Sequence, residues 1–325
     1  MAQSAILTKK LTKYYGKNRG IEGVDLDVQD GEVFGFLGPN GAGKTTTIRT
    51  LLGLIKISSG SASIFGLDVV KNYLRIRERV AYLPGELGIY KEKSARRILK
   101  YLFAFYAKPI RWAKVEEIAE VLKLDLDRKS GVLSKGNKQK IGVILALAPD
   151  ADLLILDEPT SGLDPLMSLE FFKLLVEKRG ASGCTVLLSS HQLEEVEKVA
   201  DRVGIIRNGR IAEIAAVTDL KRLALKHVEL AFSDDGQAER VVDLVPHDLV
   251  ESISVENHNH VHVMVTRANL STLLSHLQGV PFEDIDIASP DLEDIFLKYY
   301  DVHDEPTRSG RDKSGRKPEM EANST

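Results

Sequence analysis

The hydrophobic pattern of the first two thirds of the chain switches repeatedly between a strand period and a helix period. Short apolar runs predict β-strands at residues 5–8, 21–28, 33–37, 153–156 and 185–189. Apolar residues at helical spacing predict helices at residues 45–54, 94–107, 115–122, 136–148, 166–177 and 193–199. Because strands and helices alternate, we expect a parallel sheet, interrupted by a mostly helical insert at residues 92–148.

A different order of elements follows residue 222. The pattern there predicts strand 227–232, helix 237–244, strands 249–255 and 261–265, helix 270–277, strand 282–287 and helix 291–300. This order suits a small ferredoxin-like α+β fold. Residues 303–325 contain almost no apolar side chain, so they cannot offset the entropy cost of ordering, and we predict a disordered tail.

The bulk composition limits the classes of function. The chain has 325 residues, of which 43% are hydrophobic and 28% charged, an ordinary globular mixture with enough apolar material for two domains. The net charge of -3 leaves no basic excess, so binding of nucleic acid through bulk electrostatics is disfavoured. The only cysteine, Cys184, lies in an apolar stretch, which excludes a disulfide framework and favours a buried side chain over a redox role.

Neither a targeting segment nor a membrane span is evident in the sequence. The N-terminus lacks the apolar core of a secretory signal and the Arg-rich pattern of a transit peptide. No apolar run reaches the roughly 18 residues needed to cross a bilayer, and the run at residues 141–148 stops at Pro149. We therefore expect a cytoplasmic chain whose role at a membrane would come through a partner.

A glycine-rich motif joins the predicted strand at 33–37 to the helix that follows it. Residues 38–46 match G-x-x-x-x-G-K-[ST] in the strand–loop–helix context that a P-loop, or Walker A motif, requires. The loop amides and the helix N-terminus would face nucleotide phosphates, Lys44 would reach the β and γ oxygens, and Thr45 would bind Mg²⁺. The predicted phosphate-binding residues are Gly38, Pro39, Asn40, Gly41, Ala42, Gly43, Lys44, Thr45 and Thr46.

Two acidic residues end the predicted strand at 153–156. Asp157 and Glu158 should therefore emerge at the carboxyl edge of the sheet, where open α/β folds bind their ligands. Buried strands often end in an acid at a turn, but beside a P-loop this pair predicts chemistry. Asp157 would face the metal ion, and Glu158 would polarise water.

The order of these motifs along the chain resembles that of the ABC family of ATPases. Leu-Ser-Lys-Gly-Asn at 133–137, which we call the signature, precedes the acidic strand end, and Ser-Gly-Leu-Asp at 161–164 and Ser-Ser-His at 189–191 follow it. Kinases and small GTPases share at most the first pieces. The resemblance spans about residues 5–215 and is highly specific. It implies two ATPase domains packed head to tail, with ATP between the P-loop of one and the signature of the other.

The resemblance also implies how the chain is divided. Residues 1–222 would form an ABC-type ATP-binding domain, an α/β P-loop NTPase core with a helical subdomain at about residues 86–150. Residues 223–302 would form the α+β accessory domain, and residues 303–325 the tail.

Several residues acquire a nucleotide-binding role through the same resemblance. Tyr15 would stack on the adenine, since an aromatic ring offers its face to a base. Ser134 and the Gly136 backbone would contact the γ-phosphate from across the dimer, where Asp164 would also lie. Taken singly, Tyr15 or its neighbour Tyr14 could equally be a packing residue, and Ser134 a helix N-cap.

Three residues would carry out hydrolysis. The resemblance implies that Glu158 is the general base and that His191 holds the γ-phosphate and the attacking water, while Lys44 contacts the phosphates. An imidazole can donate a hydrogen bond to the charge that develops during transfer. The alternative for His191 is a helix cap.

Two regions of the chain depart from the usual family pattern. In the signature, Lys135 replaces the first glycine and Asn137 the glutamine, with Gln139 two places further on. After the second strand region, a loop that usually supplies a Mg²⁺-contacting glutamine has Gly85 and Glu86, so Glu86 binds the metal through water or no side chain does. Both departures resemble bacterial drug-export and ABC-2 type ATPases, which are single-domain subunits that pair with a separate permease.

We therefore predict an ATPase that uses ATP and Mg²⁺ to drive a separate integral-membrane permease, in the direction of export. The chain would sit peripherally on the inner face of the cell membrane, as a homodimer, because one complete set of motifs suffices for two equal sites. No nucleic acid partner is expected. The loop at residues 85–91 is the expected permease contact, whereas most apolar positions of the helix at 94–107 are expected in the core.

The sequence disfavours two other functions. A soluble ABC ATPase acting on ribosomes, chromosomes or iron-sulfur assembly would usually have two ATPase halves or long coiled coils, and this chain has one half and no sustained heptads. A non-catalytic regulatory ATP binder is disfavoured because Lys44, Glu158 and His191 are all present.

Three histidines stand at alternate positions in the C-terminal part. His258, His260 and His262 would share one face of a strand, as metal ligands can. No fourth ligand is evident, and residues 257–259 suggest a hairpin turn, so solvent-facing histidines are the better interpretation.

Overall fold

The structure is a computed structural model that describes residues 3–106, 108–219, 226–233, 235–257, 259–266 and 268–288. The strands are β1 Ser4–Tyr15, β2 Asn18–Gln29, β3 Val33–Leu37, β4 Ser59–Ile64, β5 Leu67–Asp68, β6 Val80–Leu83, β7 Leu153–Asp157, β8 Thr185–Ser190, β9 Arg202–Arg207, β10 Arg210–Ala216, β11 Lys226–Ala231, β12 Ser252–Glu256, β13 His260–Val265 and β14 Asp284–Ala288. The helices are α1 Lys44–Leu51, α2 Tyr73–Arg77, α3 Ala95–Phe103, α4 Trp112–Val121, α5 Lys135–Leu147, α6 Pro165–Ser182, α7 Leu193–Glu197, α8 Asp235–Leu244 and α9 Leu270–His276.

A six-stranded sheet forms the centre of the N-terminal part. Its order is β10-β9-β3-β8-β7-β6, and every neighbouring pair is parallel except β9 and β10. Both faces of the sheet are covered, so β3, β7 and β8 are buried along their whole length, as their continuous apolar runs require. Successive residues of β7 point to opposite faces, which sends Leu154 and Leu156 into one core cluster and Leu153 and Ile155 into the other.

The first two strands do not join the central sheet. They form a separate antiparallel sheet of order β2-β1-β4-β5. Strand β1 extends to Tyr15, well beyond the run predicted at residues 5–8. The reason is a change of register between Thr8 and Leu11, where Lys10 has a φ of 48°, because such an irregularity breaks the period-2 alternation that reveals a strand.

The helical insert lies between β6 and β7 and comprises α3, α4 and α5. Helix α3 ends at Phe103, short of the predicted residue 107, and Ile98, Leu99 and Phe103 are buried as expected. Helix α5 is buried from Gln139 to Leu147, so it is a core helix rather than an amphipathic surface helix.

The C-terminal part has the predicted ferredoxin-like arrangement. Its four strands form an antiparallel sheet of order β12-β13-β11-β14, with α8 after β11 and α9 after β13. A separate core cluster joins the sheet to the helices, with Val228 and Val263 from the strands and Val241 and Leu273 from the helices. Strand β12 begins three residues later than predicted, because the Leu249 amide donates to Pro246 O in a turn.

Some predictions concern residues that the structure does not describe. The helix predicted at 291–300 and the tail at 303–325 lie outside the described residues. Within the described ranges, no helix combines the length and the apolar character needed to span a bilayer.

Candidate active site

The P-loop connects β3 to α1, and its glycines are required by backbone geometry. Gly41 and Gly43 have φ values of 81° and 115°, in the left-handed region that favours glycine. A Cβ on Gly38 would lie 2.3 Å from Ile206 O, so no side chain fits there. Glycines in these conformations suit a loop whose backbone amides face an anion at the start of α1, and that role stays a prediction.

The Lys44 side chain is buried and links the loop to the acidic strand end. Its Nζ donates to Gly38 O at 2.5 Å and to Pro39 O at 3.3 Å. It also lies 3.0 Å from Oε1 of Glu158. The Lys44 ammonium group is thus placed to leave the Glu158 carboxylate and contact phosphate oxygens instead.

Glu158 and His191 meet although they are far apart in sequence. The parallel pairing of β7 with β8 aligns the ends of the two strands, with Asp157 opposite Ser189. As a result, Oε2 of Glu158 lies 2.6 Å from Nδ1 of His191. The Glu158 side chain is 18% exposed, so it is shielded but reachable by water. A partly buried carboxylate between a lysine and a histidine can accept a proton from water.

Asp157 has the properties of a ligand for a hard cation. It is 1% exposed, and its Oδ1 accepts a hydrogen bond of 2.6 Å from Ser189 Oγ. Its Oδ2 is buried and has no hydrogen-bond partner among the described residues. A buried, unpaired carboxylate oxygen is costly in free energy, and a bound divalent cation would satisfy it. The residues present therefore fit Mg²⁺.

The other predicted metal residues are Thr45 and Glu86, and Gly85 precedes Glu86 in the same loop. Thr45 is half-buried at the second position of α1. Gly85 lies against Asp157, since a Cβ on Gly85 would be 3.6 Å from Asp157 Oδ2. Glu86 is exposed, so its metal-binding role stays a prediction.

Two groups near the site have shifted pKa values. Burial raises the pKa of Tyr82 on β6, and the negative charge of Asp157 raises it further, while Arg49 opposes the shift. The phenol therefore stays protonated beside the acidic strand end. Burial also lowers the pKa of Lys140 on α5.

The signature residues form a second group, around the loop that follows Glu158. Ser134 Oγ accepts from the Asn137 amide at 3.2 Å and so caps α5, which is the local role considered above. A Cβ on Gly136 would lie 2.4 Å from Gly162 O, so α5 begins in direct contact with the loop. Asp164 caps α6 through the Met167 amide at 2.9 Å. Their roles across a dimer stay predictions.

Tyr15 lies on the P-loop side of the first sheet. A Cβ on Gly20 would be 2.9 Å from Tyr15 Cε2 and 3.1 Å from Thr46 Cγ2. The Tyr15 ring and Thr46, the last residue of the P-loop motif, therefore both lie next to Gly20. Tyr15 is 47% exposed and Tyr14 37%. The exposed ring beside the loop is consistent with stacking on a base, which stays a prediction.

Sequence reasoning missed the residues that support the catalytic ones. Ser189 holds Asp157, and the Glu195 carboxylate accepts hydrogen bonds from Ser190 Oγ at 2.9 Å and Thr160 Oγ1 at 2.8 Å. The sequence did contain one indication of Ser189 and Ser190. Both serines end the apolar strand β8, so they should emerge at the same edge of the sheet as Asp157.

The histidines of the C-terminal sheet are paired with other side chains. His258 lies outside the described residues. Nδ1 of His260 is 3.1 Å from Glu229 Oε1, and Nδ1 of His262 is 3.1 Å from His227 Nε2. Among the residues described, no group of three or more His, Cys, Asp or Glu is placed to hold a metal ion.

The chain is similar to known ATP-binding proteins over most of its length. The family model described as ABC transporter matches residues 21–161. A bacitracin transport ATP-binding protein of Bacillus licheniformis is 36% identical over 90% of this chain and 96% of its own length. A daunorubicin resistance ATP-binding protein of Streptomyces coeruleorubidus is 32% identical over 90% of this chain and 94% of its own. Among solved structures, an ATP-binding subunit of an ABC transporter superposes with a TM-score of 0.61 and 29% identity, covering 68% of this chain and 93% of that one.

Proposed function

The chain belongs to the ABC transporter family of ATP-binding proteins, and from that premise we propose how its site hydrolyses ATP and which transport it drives. It is an ATPase, the ATP-binding subunit of an exporter that works with a membrane permease. One observation carries the proposed mechanism. The Glu158 carboxylate lies 3.0 Å from the Lys44 ammonium and 2.6 Å from the His191 ring, at the mouth of the P-loop.

ATP binding would rearrange the Lys44 contacts. The amides of residues 39–46 and the N-terminus of α1 would hold the β- and γ-phosphates. Lys44 would turn from the Gly38 and Pro39 carbonyls and from Glu158 towards phosphate oxygens. The same movement would release one oxygen of Glu158, which would then be free to accept a proton from water.

Hydrolysis would follow from the position of Glu158. A water oxygen attacks the γ-phosphorus while Glu158 accepts the water proton, and the bond from the γ-phosphorus to the bridging oxygen of ADP breaks. Before ATP binds, the 2.6 Å contact with His191 keeps Glu158 aligned. With ATP bound, the His191 ring would donate its hydrogen bond to the γ-phosphate instead.

Mg²⁺ is the metal we propose for this site. The buried, unpaired Oδ2 of Asp157 and the hydroxyl of Thr45 would hold it, with Glu86 as a further ligand through water. When bound, Mg²⁺ neutralises charge on the β- and γ-phosphates.

We propose that the complete site is formed by two chains. The P-loop, Asp157, Glu158 and His191, which the contacts of Glu158 bring together, would occupy one side of the ATP. The other side would come from a second copy, through Ser134, the Gly136 amide and Asp164 at helix N-termini. One chain carries both halves, so a homodimer has two equal sites.

The proposed permease contact lies just beyond β6. Tyr90, Tyr101 and Phe105 are 64%, 54% and 73% exposed. The Tyr101 ring makes edge-to-face contacts with both others, at centroid distances of 6.3 Å to Tyr90 and 5.2 Å to Phe105. A groove of about 310 Å³ adjoins them, lined by Tyr90, Lys93, Arg97, Ile98 and Tyr101. Tyr90 belongs to the loop at 85–91 for which this contact was predicted, and binding there would hold the chain on the inner face of the membrane.

The relatives suggest the kind of cargo. Their names refer to bacitracin transport and to daunorubicin resistance, and we propose that this chain likewise energises export of an antibiotic-like compound.

The experiment that tests the assignment is isolation of the native complex. The tagged chain, purified from gently solubilised membranes of its own host, should carry along one polytopic membrane protein, and the ATPase rate of the complex should exceed that of the chain alone. Replacement of Tyr101 by Ser should weaken the association, whereas Tyr73→Ser, at an exposed tyrosine of α2, serves as the matched control. Recovery with ribosomes and no membrane protein would contradict the assignment.

A further inference from the structure

The backbone of Glu158 adopts a conformation that its side chain disfavours. Its φ is 50°, in the left-handed region where non-glycine residues are uncommon. Such a conformation persists only where the surroundings hold it in place. The position of the carboxylate between Lys44 and His191 therefore depends on contacts to the peptide groups on both sides of this residue.

Different elements hold the two sides. On the amino side, the Glu158 amide donates to Ser189 O at 3.2 Å and to Ser189 Oγ at 3.1 Å. On the carboxyl side, Nε2 of Gln139 donates to Glu158 O at 3.3 Å and to Pro159 O at 2.9 Å. Gln139 is 4% exposed, so water cannot readily replace these bonds.

Gln139 belongs to α5, the helix that starts at the signature. One turn before Gln139, the aliphatic part of the Lys135 side chain packs on Gly162, where an added Cβ would be 3.2 Å from Lys135 Cγ. The Lys135 Nζ atom lies 3.3 Å from Ser161 Oγ. Residues four apart lie on the same face of a helix. Lys135 and Gln139 therefore lie on one face of α5, and each contacts the loop from Glu158 to Gly162. The close contact of Gly136 with Gly162 O leaves little room for the helix to slide on the loop.

We propose that Gln139 is a positioning residue that sets the Glu158 peptide and links the two ATP sites of a dimer. This inference rests on the proposed two-chain site. There, the signature of each chain contacts the ATP bound to its partner, while Glu158 of the same chain serves its own ATP. A displacement of α5 on engagement of the partner's ATP moves the Gln139 amide, and with it the peptide that orients Glu158. Each chain thus activates its own base when its signature has closed on the other nucleotide.

The first variant removes the two donors at nearly constant volume. Gln139→Met should lower kcat about 10-fold, since two hydrogen bonds to the Glu158 turn are lost, and should leave ATP affinity unchanged because the P-loop is intact. The Hill coefficient of ATP hydrolysis should fall from above 1 in the wild type to about 1. Gln278→Met, at an exposed glutamine of the C-terminal part, is the matched control and should behave as wild type.

The second variant separates positioning from plain packing. In Gln139→Glu, the introduced carboxyl can donate to a carbonyl only when protonated, and burial beside two carbonyl oxygens raises its pKa. Its activity relative to wild type should therefore rise as the pH falls from 8 to 6, a dependence that loss of packing does not produce. All assays are run well below the melting temperature of each variant.

An unchanged kcat in Gln139→Met, or a pH-independent ratio in Gln139→Glu, would overturn the proposal. Retention of the wild-type Hill coefficient in Gln139→Met would overturn the link between the sites. A wild-type chain without ATPase activity would overturn the proposed function itself, so the two failures are distinguishable.

Discussion

The carboxylate of Glu158 has two partners, Lys44 and His191, and each has a predicted role in catalysis. The contact with Lys44 is an ion pair between a side chain that is 5% exposed and one that is 18% exposed. The contact with His191 orients the second oxygen. Removing the carboxylate charge should therefore affect the proton transfer far more than the binding of ATP, which we assign to the loop amides and Lys44.

We predict that Glu158→Gln keeps ATP binding and lowers turnover about 10²- to 10⁴-fold, the usual range for loss of an acid–base group. The amide cannot accept the water proton, so ATP should persist in the site and trap the closed dimer. Phosphate release and size-exclusion chromatography with ATP measure the two effects.

Glu120→Gln, at an exposed position of α4, is the matched control for this variant. Turnover at the wild-type rate in Glu158→Gln would show that another group is the general base.

At the scale of single elements, α6 begins after a residue that has a structural role and a predicted functional one. The helix spans Pro165–Ser182, with Asp164 as N-cap, Pro165 at its first position and Gly183 at its C-terminus with a φ of 65°. These are the residues that favour a helix start and stop. Asp164 is also one of the residues predicted to lie across the dimer.

We predict that Asp164→Ala destabilises the chain by about 1 kcal/mol, because the Met167 amide loses its acceptor. Asp164→Asn retains a capping oxygen and should unfold close to the wild-type midpoint. Denaturant unfolding with a matched pair of variants measures the difference.

The same pair tests the role across the dimer. If Asp164 contributes only the cap, Asp164→Asn should keep wild-type ATPase activity, and a loss of activity without a loss of stability would assign a role to its charge.

At the scale of the whole molecule, the core clusters indicate the domain organisation. Two clusters enclose the central sheet and draw on residues up to Val217. A third cluster is built from residues 228–285 alone, in the ferredoxin-like part. Because each part has its own core, we expect each to fold without the other.

We predict that a chain ending at residue 222 folds cooperatively and binds ATP with nearly full-length affinity. It retains every residue of the proposed nucleotide site, from Tyr15 to His191. Thermal unfolding and nucleotide titration, run beside the full chain, provide the measurement. An aggregated or non-cooperatively melting product would show that the C-terminal part is needed for folding, and would remove the predicted boundary.

Local features of the site were predictable from the sequence, because they depend on neighbours along the chain. The P-loop needs glycines at positions with positive φ, a strand before them and a helix after them, and all of these are adjacent in sequence. The acidic strand end and the helix that starts at Ser134 are local in the same way. The order of the motifs carried the family resemblance, and the comparisons confirmed the family.

The sequence by itself thus determined the class of fold, the family and the position of each motif. Only the tertiary structure decided which side chains meet. The pairing of β7 with β8 brings Ser189 to Asp157, and the turn after β7 brings Glu158 to His191. The packing of α5 on the loop after Glu158 brings in Gln139. Such contacts join residues 19 to 33 positions apart, and they depend on which strands pair and on how the helices pack, which hydrophobic periodicity does not encode.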